Sequence, residues 1–315
     1  MRTVVTGGAG FIGSHLVDLL LSEGHEVAVA DNLVGGNRNN LNPKARFYEV
    51  DIASPNLEQM LETERPEVIF HQAAQMSVKA STDDPVYDAR VNVLGLLNVL
   101  QTGVAVGTRK VVFASSGATY GNPTYLPLDE GHTQRPESPY GITKLMGEHY
   151  LNYYALAYGL QFAALRYGNV YGPRQDSHGE AGVVAIFARQ LLTGQTPVIH
   201  WDGEQIRDYV FVADVARANL LAATRGNNGC YCVGTGRGTS VNQLYQVLCR
   251  LLDLDVEPRR APRRAGDLRA AYFDTRRARR ELGWTPSVTL QDGLQATLES
   301  FRRDFSTGRA EPVRV

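Results

Sequence analysis

A chain of 315 residues with 43% apolar and 21% charged content can bury a full core, and suits one large domain with a smaller companion. Its 32 basic and 33 acidic residues nearly cancel, which excludes a global pull toward nucleic acid or a membrane surface and leaves local positive pockets for phosphate-bearing ligands. Three cysteines (Cys230, Cys232, Cys249) without a Cys-x-x-Cys spacing read as free thiols of a reducing compartment, and seven histidines without a paired-ligand spacing argue against a metal site.

Residues 3–6 already read as a strand, so no signal peptide is expected, and no apolar run reaches the ~18 residues of a membrane span. A cytoplasmic location is the expectation. The strand runs into Gly7-Gly8-Ala9-Gly10-Phe11-Ile12-Gly13. Gly7, Gly10 and Gly13 at spacing three suit a tight turn, close backbone approach to a pyrophosphate, and close helix–strand packing. A helix over residues 12–22 would then aim free N–H groups and a positive dipole end at the phosphates. A second strand over 26–30 leads to Asp31, whose carboxylate can accept from adenosine ribose hydroxyls and repel a 2′-phosphate, favouring NAD over NADP. Arg38 lies a little further on. The strand at 46–50 places Asp51 near the adenine edge, with a plain loop carboxylate as the alternative.

A strand at 67–70 precedes the polar Ser81-Thr82-Asp83-Asp84 and Pro85, which fits the first turn of a helix over 86–106. The strand at 110–114 closes on Ser115-Ser116, and strand carboxyl ends are where ligands sit in a doubly wound sheet. Tyr140 and Lys144 share one face of a helix over 140–158. Alone, that pair is an ordinary surface pattern. With Ser116 it makes a base: a neighbouring ammonium favours the phenolate of a tyrosine that otherwise titrates near ~10, and Ser116 can hold a substrate hydroxyl against it.

A strand at 161–166 completes an α/β, doubly wound parallel Rossmann-type sheet over residues 1–168. From 169 the pattern loosens into a smaller α/β substrate domain, 169–315, with 208–224 expected to rejoin the sheet. Residues 259–280 hold nine arginines. Most read as a solvated face, and a few as phosphate ligands.

Taken together these segments resemble the extended short-chain dehydrogenases/reductases, and within them the UDP-glucose (UDP-galactose) 4-epimerases. The carrying residues are Thr6-Gly-Gly-Ala-Gly-Phe-Ile-Gly-Ser14, Phe113-Ala-Ser-Ser-Gly-Ala-Thr-Tyr-Gly121, Ser138-Pro-Tyr-Gly-Ile-Thr-Lys144, Arg166-Tyr-Gly-Asn-Val-Tyr-Gly-Pro173, Arg207-Asp-Tyr-Val-Phe-Val212 and Arg263-Arg-Ala-Gly-Asp267. The resemblance implies that Ser116 and Tyr140 meet the sugar 4-hydroxyl while Lys144 holds the nicotinamide ribose. Phe11, Ile12, Asp31, Asn32, Asp51, Ile52, Ala73, Ala74 and Gln75 would line a tightly bound NAD. Asn169, Arg207 and Arg264 would meet the diphosphate of a UDP-sugar, Asp267 its ribose, and Val183 and His200 its uracil. It also implies a homodimer through the helices at 86–106 and 140–158, with Leu94, Leu97, Leu151, Tyr154 and Tyr158 as the apolar excess.

Met76, Gly168 and Ala271 depart from the pattern of some members. The last two are small and would leave room for N-acetylated UDP-hexoses. Competing readings are a nucleotide-sugar 4,6-dehydratase, a UDP-glucuronate 4-epimerase, and a non-catalytic NAD-binding protein. Elimination calls for an acidic residue just after the strand serine, where this chain has Gly117-Ala118-Thr119. A mere binder would have no use for both Tyr140 and Lys144.

Overall fold

A computed structural model describes residues 1–177, 182–264 and 266–306 of the chain. The first part alternates strand and helix: β1 (Arg2–Thr6), α1 (Phe11–Ser22), β2 (Glu26–Asp31), β3 (Arg46–Glu49), α2 (Asn56–Glu64), β4 (Val68–His71), α3 (Val78–Asp83), α4 (Pro85–Ala89), α5 (Gly95–Ala105), β5 (Lys110–Ser116), α6 (Pro139–Tyr158) and β6 (Gln161–Tyr167). After these come β7 (Asn169–Tyr171), α7 (Val183–Leu192), β8 (Val198–His200), β9 (Ile206–Arg207), β10 (Tyr209–Phe211), α8 (Val212–Ala222), β11 (Gly229–Val233), β12 (Thr239–Ser240), α9 (Val241–Leu252), β13 (Arg259–Ala261) and α10 (Leu290–Ser306).

Seven strands form one parallel sheet in the order β11-β6-β5-β4-β1-β2-β3. The central strands are continuous apolar runs because both faces are covered. Val5, Val29 and Phe70 point to a core shared with Leu16, Leu20 and Val215 from α1 and α8. Val4, Ala28 and Ile69 point the other way, onto Leu57, Leu96, Val99 and Leu151 of α2, α5 and α6. The chain order reverses between β1 and β4, which opens the crevice at their carboxyl ends where doubly wound sheets bind ligands.

Two details depart from the sequence expectation. The helix expected over 86–106 is interrupted by a π turn at Arg90–Leu94, which buries the polar Asp88 and Asn92 in hydrogen bonds. Beyond residue 224 the chain adds β11 to the sheet edge, with Cys232 opposite Arg166. The β11 run is short and polar-flanked, and its pairing with β6 and the burial of Tyr231, Cys232 and Val233 distinguish it from the loops around it. The remaining late elements form a third core from α7, α9 and α10, including Phe187, Leu244 and Leu298. Among the described residues no helix is long and apolar enough to cross a membrane.

Candidate active site

The crevice is walled first by the glycine turn. Gly7 adopts φ +71°, and a Cβ there would stand 2.7 Å from the Ala73 amide nitrogen. A Cβ at Gly13 would run into the Gly7 carbonyl oxygen, so only glycine lets α1 start this close to β1. Gly10 is the N-cap of α1 and has no side chain to satisfy the first N–H groups, which leaves them for an anion. At the end of β2, the buried Asp31 accepts from Ala9 N–H (2.9 Å) and Leu33 N–H (2.8 Å), holding the turn. Asn32 donates to Asp51 (2.9 Å), and Asp51 also accepts from Ala53 N–H. Phe11 and Ile12 are half-buried on the first turn of α1, whereas Ile52 is core, packed under Gly95. This cradle fits a dinucleotide. It supplies free backbone donors where the pyrophosphate would lie and a carboxylate where a ribose would lie.

Ala73, Ala74 and Gln75 follow β4 along the opposite wall, half-buried. The Gln75 side chain turns inward and donates to Ser77 O (2.9 Å) and Asp88 (2.7 Å), so it is the backbone of this segment that faces the crevice. Met76 is 67% exposed.

The chemistry-bearing corner is built from β5 and α6. Ser138 caps α6 and Pro139 fills its first turn, which points Tyr140 and Lys144 at the end of β5. Lys144 Nζ donates to Ala114 O at 2.9 Å and lies 5.7 Å from the Tyr140 ring centre. Burial pushes the Tyr140 phenol up to about 12, opposed by the nearby Ser116 hydroxyl, while Asp88 adds to the rise. Burial also lowers the Lys144 ammonium to about 8, with the Asp88 carboxylate opposing the fall. A cation brought near the pair would favour the phenolate over the phenol.

Beneath the corner lie groups that the sequence did not single out. His71 stacks on Phe113 and bonds Thr6 Oγ1 at 2.9 Å; burial, with Lys144 nearby, lowers it to about 3, so it is neutral. Glu148 and Arg166 form a buried ion pair at 2.6 Å, with Ser115 donating to Glu148. Asp88 looked like an ordinary first-turn acid after Pro85, and only the fold shows that it is buried.

On the far side, the candidate substrate residues gather in pairs. Arg264 Nη2 donates to His200 Nε2 at 3.0 Å, and His200 Nδ1 meets Pro262 O, which sets the Nδ1–H tautomer. Arg207 donates to Ile206 O and Leu268 O and lies 3.6 Å from Asp267. Asn169 is exposed, its N–H bound to Asp208 O at 2.7 Å. Val183 opens α7 and packs on the third core. Of the motif around Arg264, Ala265 lies outside the described residues, as do 178–180 of the polar stretch after Tyr167.

The room expected at Gly168 is a correction. A Cβ there would sit 2.8 Å from Asp208 O, and the Phe273 ring lies across both Gly168 and Gly117. Ala271 packs beside Tyr120, Leu128 and Phe273.

Residues 3–234 match the sequence pattern of the NAD dependent epimerase/dehydratase family. A UDP-glucose 4-epimerase of Mycolicibacterium smegmatis is 47% identical, the match covering 96% of this chain and 99% of that protein. The crystal structure of a UDP-glucose 4-epimerase with UDP-glucose from Thermotoga maritima superposes with a TM-score of 0.95 at 48% identity, covering 96% of this chain and 99% of that one. A UDP-N-acetylglucosamine 4-epimerase from Methanobrevibacter ruminantium superposes with a TM-score of 0.93 at 34% identity, over 96% and 99% of the two chains.

Proposed function

Because this chain belongs to the NAD dependent epimerase/dehydratase family, we propose that it is an NAD-dependent isomerase interconverting UDP-glucose and UDP-galactose through a transient 4-keto sugar. The observation that carries this reading is the corner where Ser116, Tyr140 and Lys144 converge at the end of β5.

The glycine turn, Asp31, Asn32, Asp51 and the backbone of 73–75 would hold NAD. When bound there, its nicotinamide supplies the capacity to take a hydride from the sugar and to return it. Ser116 orients the sugar 4-hydroxyl, and Tyr140 takes its proton as the keto form develops. Lys144 stabilises the phenolate that does so. For return, Tyr140 gives the proton back after the sugar presents its other face. Arg207 and Arg264, as guanidinium forks, suit the two phosphates, with Asn169 beside them and Asp267 toward the ribose. His200 and Val183 would flank the base. Gly117-Ala118-Thr119 forms a short 3₁₀ turn without a carboxylate, which favours epimerisation over elimination.

We further assign a homodimer. Val86, Tyr87 and Leu94 on the 85–105 segment and Ile142, Met146, Tyr153, Leu156 and Tyr158 on α6 are exposed apolar side chains. Such a patch on two adjacent helices calls for cover. Leu151 and Tyr154, expected in that surface, belong instead to the chain's own core. Free thiols at Cys230, Cys232 and Cys249 accord with a cytoplasmic setting. Incubating the purified protein with UDP-galactose, UDP-N-acetylgalactosamine and UDP-glucuronate, without added NAD, tests the assignment. UDP-galactose should give UDP-glucose, and failure to convert it refutes the proposal.

A further inference from the structure

Asp88 is fully buried, yet its hydrogen-bond donors are neutral side chains: Gln75 Nε2 at 2.7 Å, Asn92 Nδ2 at 3.0 Å and Thr143 Oγ1 at 2.8 Å. These come from three places, namely the crevice wall after β4, the π turn and the catalytic helix. Asn92 closes the knot by donating to Gln75 O and accepting from Gln75 N–H, each at 2.9 Å. The π turn matters because it widens the helix where Asn92 must face inward together with Asp88. Thr143 precedes Lys144 on α6, and the Asp88 charge acts on the Lys144 ammonium through space.

We propose, resting on the reading above, that Asp88 is a positioning residue for the reaction: it ties α6 at Thr143 to the crevice wall at Gln75 and provides the counter-charge for Lys144. A buried carboxylate met only by neutral donors is costly unless a cation stands near, and Lys144 is that cation. His71 on β4, Ser116 on β5 and Tyr167 on β6 also face this corner. Burial holds His71 neutral and raises the Tyr167 phenol, so neither substitutes for the carboxylate.

Two variants separate the tie from the charge. Asp88→Asn keeps the shape, and its amide can meet Thr143 once that hydroxyl turns to Tyr140 O, 3.0 Å away. Only the charge is lost. Thr143→Val keeps the charge and cuts the tie. Tyr140 is followed without turnover, by ultraviolet titration of tyrosinate in each protein minus its Tyr140→Phe counterpart. Removing a nearby negative charge makes the phenolate easier to form, so the Tyr140 midpoint should fall by roughly half a unit to one unit in Asp88→Asn and stay in place in Thr143→Val. In the NAD-loaded enzyme, Thr143→Val should lower kcat on the order of tenfold with little change in KM for UDP-galactose. An unmoved midpoint in Asp88→Asn, or kcat within twofold of wild type in Thr143→Val, overturns the proposal. If Asp88→Asn does not fold, Thr143→Val decides alone by the same criterion. If the wild type does not convert UDP-galactose at all, the proposed function fails, and the tyrosinate titration still decides the role of Asp88.

Discussion

Lys144 Nζ lies 5.7 Å from the centre of the Tyr140 ring, one helical turn along α6, while its own hydrogen bond goes to Ala114 O. The ammonium is therefore anchored to the sheet and acts on the tyrosine through space. Lys144→Met removes the charge that favours the phenolate, so the acidic limb of kcat/KM should move to higher pH by about one unit or more. In the wild type, turnover should also fall as pH rises through about 8, where burial has placed the loss of the Lys144 proton. Activity profiles of the two proteins check both limbs. An acidic limb that stays in place would show that Lys144 does not tune the base.

Glu148 and Arg166 are buried beneath the same corner. Burial alone would raise the Glu148 carboxyl, but the Arg166 bonds and charge, with Ser115 and Gln134, outweigh it and hold the group below its ordinary 4.5. Its contribution to stability is thus fully present above that value and is lost as pH falls through the lower folded one. Glu148→Gln leaves a guanidinium buried without its anion and should cost about 3–5 kcal/mol. Urea unfolding at neutral pH measures the loss. A change under about 1 kcal/mol would mean that solvent reaches Arg166.

Much of this arrangement is legible in the chain itself, because it rests on local patterns. The glycine turn, the acid closing β2, and Tyr140 four residues before Lys144 announce themselves by spacing. What is not legible depends on contacts far apart in sequence. Asp88 and Asn92 look like the polar face of an amphipathic helix until the crevice wall closes over them. Phe273 is one apolar residue among many until it is seen to cover Gly117 and Gly168. Leu151 and Leu156 are the same residue type on one helix, and only packing decides that the first is core and the second is surface.

The exposed apolar face supplies a test of assembly. Leu156 is 81% exposed and Leu94 58%. Light scattering should return twice the 34.6 kDa of one chain, and Leu156→Arg should return the single-chain mass without loss of fold. A wild-type protein at the single-chain mass at micromolar concentration would refute the dimer.

We propose that position 271 sets the sugar scope. The keto sugar must turn over in the pocket, so both of its faces need space for the 2-substituent, and Ala271 carries only a methyl group. UDP-N-acetylglucosamine should be accepted alongside UDP-glucose, and Ala271→Tyr should reduce the ratio of the two activities on the order of tenfold or more. Steady-state rates with both substrates decide the matter. An unchanged ratio would remove residue 271 as the gate.

In the proposed reaction one hydrogen leaves the sugar 4-position and comes back to the same carbon while Tyr140 handles the hydroxyl proton. UDP-galactose carrying deuterium at that carbon measures this directly. With no NAD added, the product UDP-glucose should retain the label at the 4-position, no dehydrated sugar should form, and Tyr140→Phe should slow conversion by on the order of 10²–10⁴-fold. Label lost to solvent, or a dehydrated 4-keto product, would contradict the account.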